Sequence, residues 1–391
     1  MSSTHLPSFS LRALLVLCAL AVVSLLYLPL PILPQLAQAH RMGTATAAGV
    51  ISAFGFAYAT GFLIFGPLSD RLGRRTVMMW GLTALSLVTA WLSTVEAAPL
   101  LLAGRAAQGL AAATFPPVVI AYLAERGTSR QRVWSVAWMS TAFLSAGLLG
   151  QIYGAAVAGR WGLGSALLPL AAVFALTAWR LWTTPADAAR APAPSLLAGY
   201  RPIGRIMANP HLRRVYGPAL LLLMCFVAFY MGLDAHLGPT LLAQGITPLI
   251  ARELALPAFL APLAVALVMP RWGAERVVKV GLVIATCGLA LCAWAGDAHL
   301  YGLLVASVVF VAGIGISVPG LIARVATVAE APVRGLAVAF YTFVLFVGAS
   351  LGPWLAQQTA QRPTGQAFLV LAVLLGAATL YAMTGRRAIA A

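Results

Sequence analysis

The chain has 391 residues, 61% of them hydrophobic and 9% charged, with a mean hydropathy of +0.93. Soluble domains carry about 25% charged residues, so these figures exclude a soluble globular protein and describe one that lives in a bilayer. The formal net charge of +16 does not point to nucleic acid: of the 25 basic residues only Lys279 is a lysine, and basic and aromatic residues do not interleave as on a nucleic-acid surface.

A hydrocarbon core of about 30 Å takes about 20 apolar residues per helix. On that measure twelve spans follow one another, at residues 12–34, 46–67, 77–95, 98–122, 133–157, 163–183, 215–239, 247–269, 277–296, 300–323, 334–358 and 366–384. Ala37-Gln38-Ala39 after the first span resembles a signal-peptidase site. The run from Arg12 to Pro34 is nevertheless long enough to cross a bilayer, and it reads as a retained helix. Cys18, Cys225, Cys287 and Cys292 all lie in apolar runs without metal-ligand spacing, so no metal and no cofactor is expected.

Arginines fall into alternate loops. Arg71, Arg74 and Arg75 lie in one, then Arg126, Arg130 and Arg132, then Arg190, Arg201, Arg205, Arg213 and Arg214, then Arg271, Arg276 and Lys279, then Arg324 and Arg334, and finally Arg386 and Arg387 in the tail. The opposite loops hold Arg41, Arg160 and Arg362. Because basic loops stay in the cytoplasm, both termini are expected inside a cell inner (plasma) membrane.

Midway, residues 184–212 are rich in Ala and Pro and read as a cytoplasmic linker between an N-terminal six-helix bundle, 1–183, and a C-terminal one, 213–391. Setting 117–150 on 319–352 without gaps matches Pro117 with Pro319, Ile120 with Ile322, two alanines, Arg132 with Arg334 and Gly150 with Gly352. Six helices per half give both copies the same orientation. The expected fold is therefore all-α, twelve transmembrane helices in two parallel-repeat bundles.

The stretch "GPLSDRLGRR" at 66–75 carries a pattern of its own in Gly66, Leu68, Asp70, Arg71, Gly73, Arg74 and Arg75. It resembles the loop motif between helices 2 and 3 of the major facilitator superfamily. Arg105, Gln108 and Gly109 in span 4 are similar to the Arg-x-x-Gln-Gly pattern of its proton-coupled members. With "LYLPLPILPQLAQ" in span 1, the chain resembles the twelve-helix drug/proton antiporter branch, which includes multidrug and sugar efflux permeases. The chain departs from that branch at two points. Span 5 keeps Gly147, Gly150 and Gly154 but lacks the Gly-Pro, which stands instead at Gly352-Pro353; and span 1 carries no carboxylate.

The resemblance implies that Asp70 faces the N-terminus of helix 11 in the outward-open state, with Arg74 and Glu125 as the supporting ion pair, so that the loop latches the two halves. The matching stretch in the second half, "PRWGAER", keeps Arg271, Gly273 and Arg276 but has Pro270 in place of the aspartate.

An ionisable residue at membrane depth is costly and by default functional. Of nine acids, only Asp234 in span 7 and Glu253 in span 8 fall inside spans. Asp234 is the first candidate for proton coupling and Glu253 the second. Arg105 is a candidate partner of Asp234 from the opposite half, the alternative being that it braces helix 1 inside its own. Phe226, Tyr230 and Asp234 recur every four residues and share a helical stripe. With Tyr27, Trp138 and Tyr341 they are candidates for an aromatic substrate cavity, one suited by its single acid to amphipathic or cationic compounds.

No nucleophile-base set, metal cluster or phosphate loop suggests an enzyme. The expectation is a monomeric secondary transporter, proton-coupled and exporting small drug-like or metabolite compounds by alternating access, with the lipid bilayer, the substrate and protons as its partners. The alternatives are metabolite uptake or facilitated uniport, or a non-transporting sensor or lipid scramblase with this fold.

Overall fold

Helix is the only regular structure among the described residues, which are 8–124, 126, 128–184, 202–296, 298–330 and 333–384 of the computed structural model. In a bilayer an unpaired backbone amide finds no water, so each segment has to satisfy its own hydrogen bonds. Many large apolar side chains point outward, Leu267 at 77%, Leu87 at 67% and Val305 at 67% exposure. Only a lipid surround makes such an exterior tenable.

The chain divides into two compact units, Met1–Tyr200 and Arg201–Ala391. The first holds α1 (Phe9–Tyr27), α2 (Leu33–Ala39), α3 (Thr44–Leu72), α4 (Arg74–Leu92), α5 (Ala98–Ala112), α6 (Pro116–Ala124), α7 (Ser129–Tyr153) and α8 (Gly159–Trp182). The second holds α9 (Ile203–Ala208), α10 (Pro210–Ala243), α11 (Pro248–Glu253), α12 (Ala261–Ala295), α13 (Leu300–Val328), α14 (Arg334–Thr359) and α15 (Thr364–Met383). Of the stretch read as a linker, 185–201 lies outside the described residues. Beyond it the chain is already helical, in α9 and from Pro210 onward.

Among the described residues nine helices are long and apolar enough to cross a membrane. The expected spans 3 and 5 are formed by α4 and α7, and span 8 by α11 with the first part of α12. Span 1 is interrupted where Pro29, Pro31 and Pro34 follow closely. Proline removes a donor and clashes with the preceding turn, so α1 ends at Tyr27 and a 3₁₀ turn, Leu30–Ile32, leads into α2.

The internal repeat is visible in which helices pack. In the first unit α1 packs on α7, α3 on α5, and α4 on α8; in the second α10 packs on α14, α12 on α13, and α12 on α15. It is visible again in the backbone. Gly73 (φ 90°, ψ 137°) joins α3 to α4, and Gly273 (φ 76°, ψ 156°) breaks α12 two hundred positions later. A residue with a Cβ pays about 1–3 kcal/mol for such positive-φ, extended backbone, so each break needs its glycine.

Close helix approach repeats as well. A Cβ on Gly154 would lie 2.1 Å from the Leu28 carbonyl oxygen, and one on Gly348 2.0 Å from that of Leu220. Gly150 and Gly154 meet Ser24 on α1 and Leu28 at its end, and Gly348 and Gly352 meet Leu220 and Val227 on α10.

Candidate functional site

The 66–75 motif forms the corner between α3 and α4. Gly66 and Leu68 lie on the last turns of α3, Gly73 makes the break, and Arg74 and Arg75 start α4. Ser69 Oγ donates to the Gly66 carbonyl (2.7 Å) and accepts from Arg74 Nη1 (3.3 Å). Arg75 reaches across to α8, donating from Nε to the Leu181 carbonyl (2.7 Å) and from Nη2 to that of Trp182 (2.6 Å). The last carbonyls of a helix have no partner within it and carry the negative end of its dipole, which a guanidinium satisfies. The side chain of Asp70 and the whole of Glu125 lie outside the described residues.

The second unit builds a related contact that its sequence did not announce. Glu275, two residues beyond Gly273, pairs with Lys279 one turn on (2.9 Å) and with Arg324 near the end of α13 (2.9 Å). The expected link in the first unit joins a cation at the corner to an acid after α6. Here the acid sits at the corner and the cation on the partner helix.

Arg105, Gln108 and Gly109 tie together four helices. Arg105 is 1% exposed. Its guanidinium donates to the carbonyls of Leu25 on α1 (2.8 Å) and Val50 on α3 (3.2 Å) and to Gln108 Oε1. It also stands 4.5 Å from the centre of the Phe54 ring. Gln108 lies three residues on, hence on the same face, and donates to Thr89 Oγ1 on α4 (2.8 Å). Gly109 faces the α3 backbone, where an added Cβ would come 2.2 Å from the Phe54 carbonyl oxygen. A buried guanidinium with five donors in a fixed fork suits this task, because it satisfies several carbonyls in different directions at once.

Asp234 on α10 is held by Arg252 on α11. Arg252 Nη1 donates to Oδ1 at 3.1 Å and Nη2 to Oδ2 at 2.5 Å, a bidentate pair in which Arg252 has no exposure and the Asp234 side chain keeps 27%. The Arg252 guanidinium is also 5.6 Å from the ring centre of Tyr230, one turn before Asp234 on the same stripe. Arg105 and Asp234 therefore each have a partner set inside their own unit. Glu253, next to Arg252, is exposed on the other side of α11.

Sequence reasoning passed over Arg252, although a signal was present. Asp234 lies five residues before the expected end of span 7, and Arg252 five residues after the expected start of span 8. Opposite charges equally far from one turn sit at the same depth on neighbouring antiparallel helices.

Of the aromatic candidates, Tyr27, Phe226, Tyr230 and Tyr341 are buried, while Trp138 on α7 is 58% exposed. Phe226 and Tyr230 meet edge to face with centroids 5.2 Å apart, and Phe229 joins Tyr230 to Phe310 and Phe368. The hydroxyls of Tyr230 and Tyr341 and Nε2 of His236 are buried with no hydrogen-bond partner among the described residues. Among those residues no cluster of His, Cys, Asp and Glu has the makings of a metal site.

Similarities to known proteins follow the fold. The inner membrane transport protein YnfM of Escherichia coli is 35% identical over 106 residues, 27% of this chain and 25% of that protein. The uncharacterized MFS-type transporter YceJ of Bacillus subtilis is 34% identical over 89 residues, 23% of each chain. The chain thus matches about a quarter of the length of these relatives. The inward-open structure of the xylose transporter XylE from E. coli superposes with a TM-score of 0.74 at 13% identity, over 96% of each chain. The nucleoside transporter NupG gives 0.71 at 14% identity, over 95% of this chain and 99% of that one. At such identity the superpositions speak for the fold, and the profile of the Major Facilitator Superfamily matches residues 15–353. With paired, repeated helix packing and a profile match over most of its length, this multi-pass membrane protein belongs to the Major Facilitator Superfamily of transporters.

Proposed function

We propose that the protein is a proton-coupled secondary transporter of small organic compounds, working by alternating access in a bacterial-type inner membrane with both termini in the cytoplasm. The observation that carries this reading is Asp234: an acid within a membrane helix, partly open to its surroundings, held by a fully buried arginine. Such a residue is expensive to keep there without a use. Protonation of Asp234 removes its charge and weakens its bidentate hold on Arg252, loosening α11 from α10, a local two-state element of the kind that couples proton binding to opening. Glu253 is the second proton candidate. The corner at Asp70, Gly73, Arg74 and Arg75 acts as a gate between the halves, with Arg75 anchoring it to α8.

Efflux is the direction that the motif resemblance implies. One observation favours the opposite direction, uptake together with protons: Asp234 is already neutralised by Arg252 and offers no spare charge to an outgoing cation. The deciding experiment is flux in proteoliposomes with pH gradients of either sign, screened over drug-like cations, sugars and organic acids. Asp234→Asn is expected to abolish the response to the gradient and Glu253→Gln to preserve it. Full gradient dependence in Asp234→Asn overturns the role given to Asp234.

A further inference from the structure

We propose that Arg252 is the binding residue for the carboxylate of an anionic substrate, and that this anion and a proton on Asp234 occupy the site together. The inference rests on Asp234 being the proton site and adds the charge class of the substrate and the sign of the coupling.

The two members of the pair are unequal in access. Arg252 is sealed, with no exposure, whereas Asp234 keeps 27%. A proton arriving at Asp234 turns the carboxylate into a neutral acid and takes from the buried guanidinium the counter-charge that Asp234 supplied, which is the costly half of breaking a buried pair. The protonated state therefore holds best when a second anion takes the place that Asp234 leaves. Before the exchange the pair carries one negative and one positive charge. Afterwards the site carries a neutral acid, the guanidinium and the incoming anion, so its net charge is unchanged.

A cation binding to Asp234 displaces Arg252 with the opposite result, two positive charges against one carboxylate. The expectation of a cationic substrate rested on a lone acid, and Asp234 is not alone. The guanidinium fork matches a carboxylate with two parallel hydrogen bonds. Beside it, Tyr230 has its ring centre 5.6 Å from the guanidinium and a buried hydroxyl with no partner among the described residues. A buried polar group without a partner calls for one, and a carboxylate oxygen accepts from such a donor. Phe226 and Phe229 pack on the Tyr230 ring and are themselves buried, so the guanidinium stands in apolar surroundings that strengthen its call for an anion. Arg252 is the charged group in contact with Asp234; Tyr230 and His236 are titratable neighbours on α10, and Cys292 stands near Tyr230 from α12.

Linkage makes the relation reciprocal: whatever factor the proton adds to anion affinity, the anion adds to proton affinity. Anion and proton then cross together, as cotransport, rather than in exchange.

The test is equilibrium binding of benzoate and succinate to the purified full-length protein in detergent at about pH 5.5 and about pH 8, with tetraphenylphosphonium and xylose as comparison ligands. Lowering the pH is expected to tighten carboxylate binding to the unaltered protein about tenfold, with uptake of a proton. Asp234→Asn, which mimics the protonated acid, should bind as tightly at both pH values as the unaltered protein does at the lower one. The double variant Asp234→Asn with Arg252→Gln has no charge of this pair left to strand, should stay folded, and should lose carboxylate binding.

Carboxylate affinity in Asp234→Asn no higher than in the unaltered protein at the higher pH overturns the proposal, and so does loss of tetraphenylphosphonium binding in that variant. Gradient-driven flux that depends on Asp234 but carries only tetraphenylphosphonium or xylose sinks the anion assignment while leaving Asp234 as the proton site. Gradient-driven flux unchanged in Asp234→Asn removes the proton site itself.

Discussion

Arg252 meets Asp234 with both terminal nitrogens, one to each carboxylate oxygen, and so pins the short helix α11 to the long helix α10. Because one member is wholly buried, removing either alone strands the charge of the other, at a cost of about 3 kcal/mol. Asp234→Asn and Arg252→Gln should each lower the unfolding temperature in detergent, while the double variant Asp234→Asn with Arg252→Gln should recover most of the loss. Additive losses in such a cycle would show that the pair has no coupling.

Arg105 and Asp234 should separate in their effects. Arg105 donates to carbonyls on α1 and α3 and to Gln108. A lysine has a single nitrogen at that depth and cannot reach all three. Arg105→Lys is expected to cost about 2 kcal/mol of stability through buried acceptors left unpaired, yet to keep whatever gradient dependence the flux shows. The measurements are thermal unfolding and proteoliposome flux; a variant of undiminished stability that loses proton dependence would return Arg105 to the coupling role.

Gly109→Ala tests the seam between α3 and α5. Its new methyl would fall 2.2 Å from the Phe54 carbonyl oxygen, an acceptor in backbone that cannot swing aside. Overpacking of this sort costs about 1–3 kcal/mol. Gly335→Ala at the start of α14, where a Cβ meets nothing within 4 Å, should leave stability unchanged or raise it by about 0.5–1 kcal/mol. Equal unfolding temperatures for the two variants would refute the close approach.

Gly73→Ala and Gly273→Ala should cost similar amounts, about 1–3 kcal/mol each, since both glycines hold positive-φ, extended backbone that a residue with a Cβ rarely adopts. At Gly273 an added methyl meets nothing within 4 Å, so strain in the backbone is the whole effect there. At φ 76° and ψ 156° the backbone lies outside the αL region that Asn tolerates, so Gly273→Asn should lose as much as Gly273→Ala in the same unfolding assay.

Much of the fold could be read in the chain because a bilayer imposes length and polarity on each segment separately. The apolar runs are local features that follow from local physics, burial of apolar length in each segment, and the glycines at 73 and 273 stand where the backbone takes an angle that only glycine adopts cheaply. The site was less legible. Helices that are apolar all round carry little periodicity to say which side faces a neighbour, so the sequence set the depth of Asp234 without its direction.

By depth Arg105 stood as its candidate partner, and Arg252, at the same depth on the next helix, was passed over. Tertiary packing decided between them by rotating α10 and α11 until the carboxylate met the guanidinium of Arg252, while Arg105 turned to the carbonyls of α1 and α3. An ion pair needs atoms within about 4 Å, and that approach is fixed by helix rotation, which composition and spacing along a single chain do not encode.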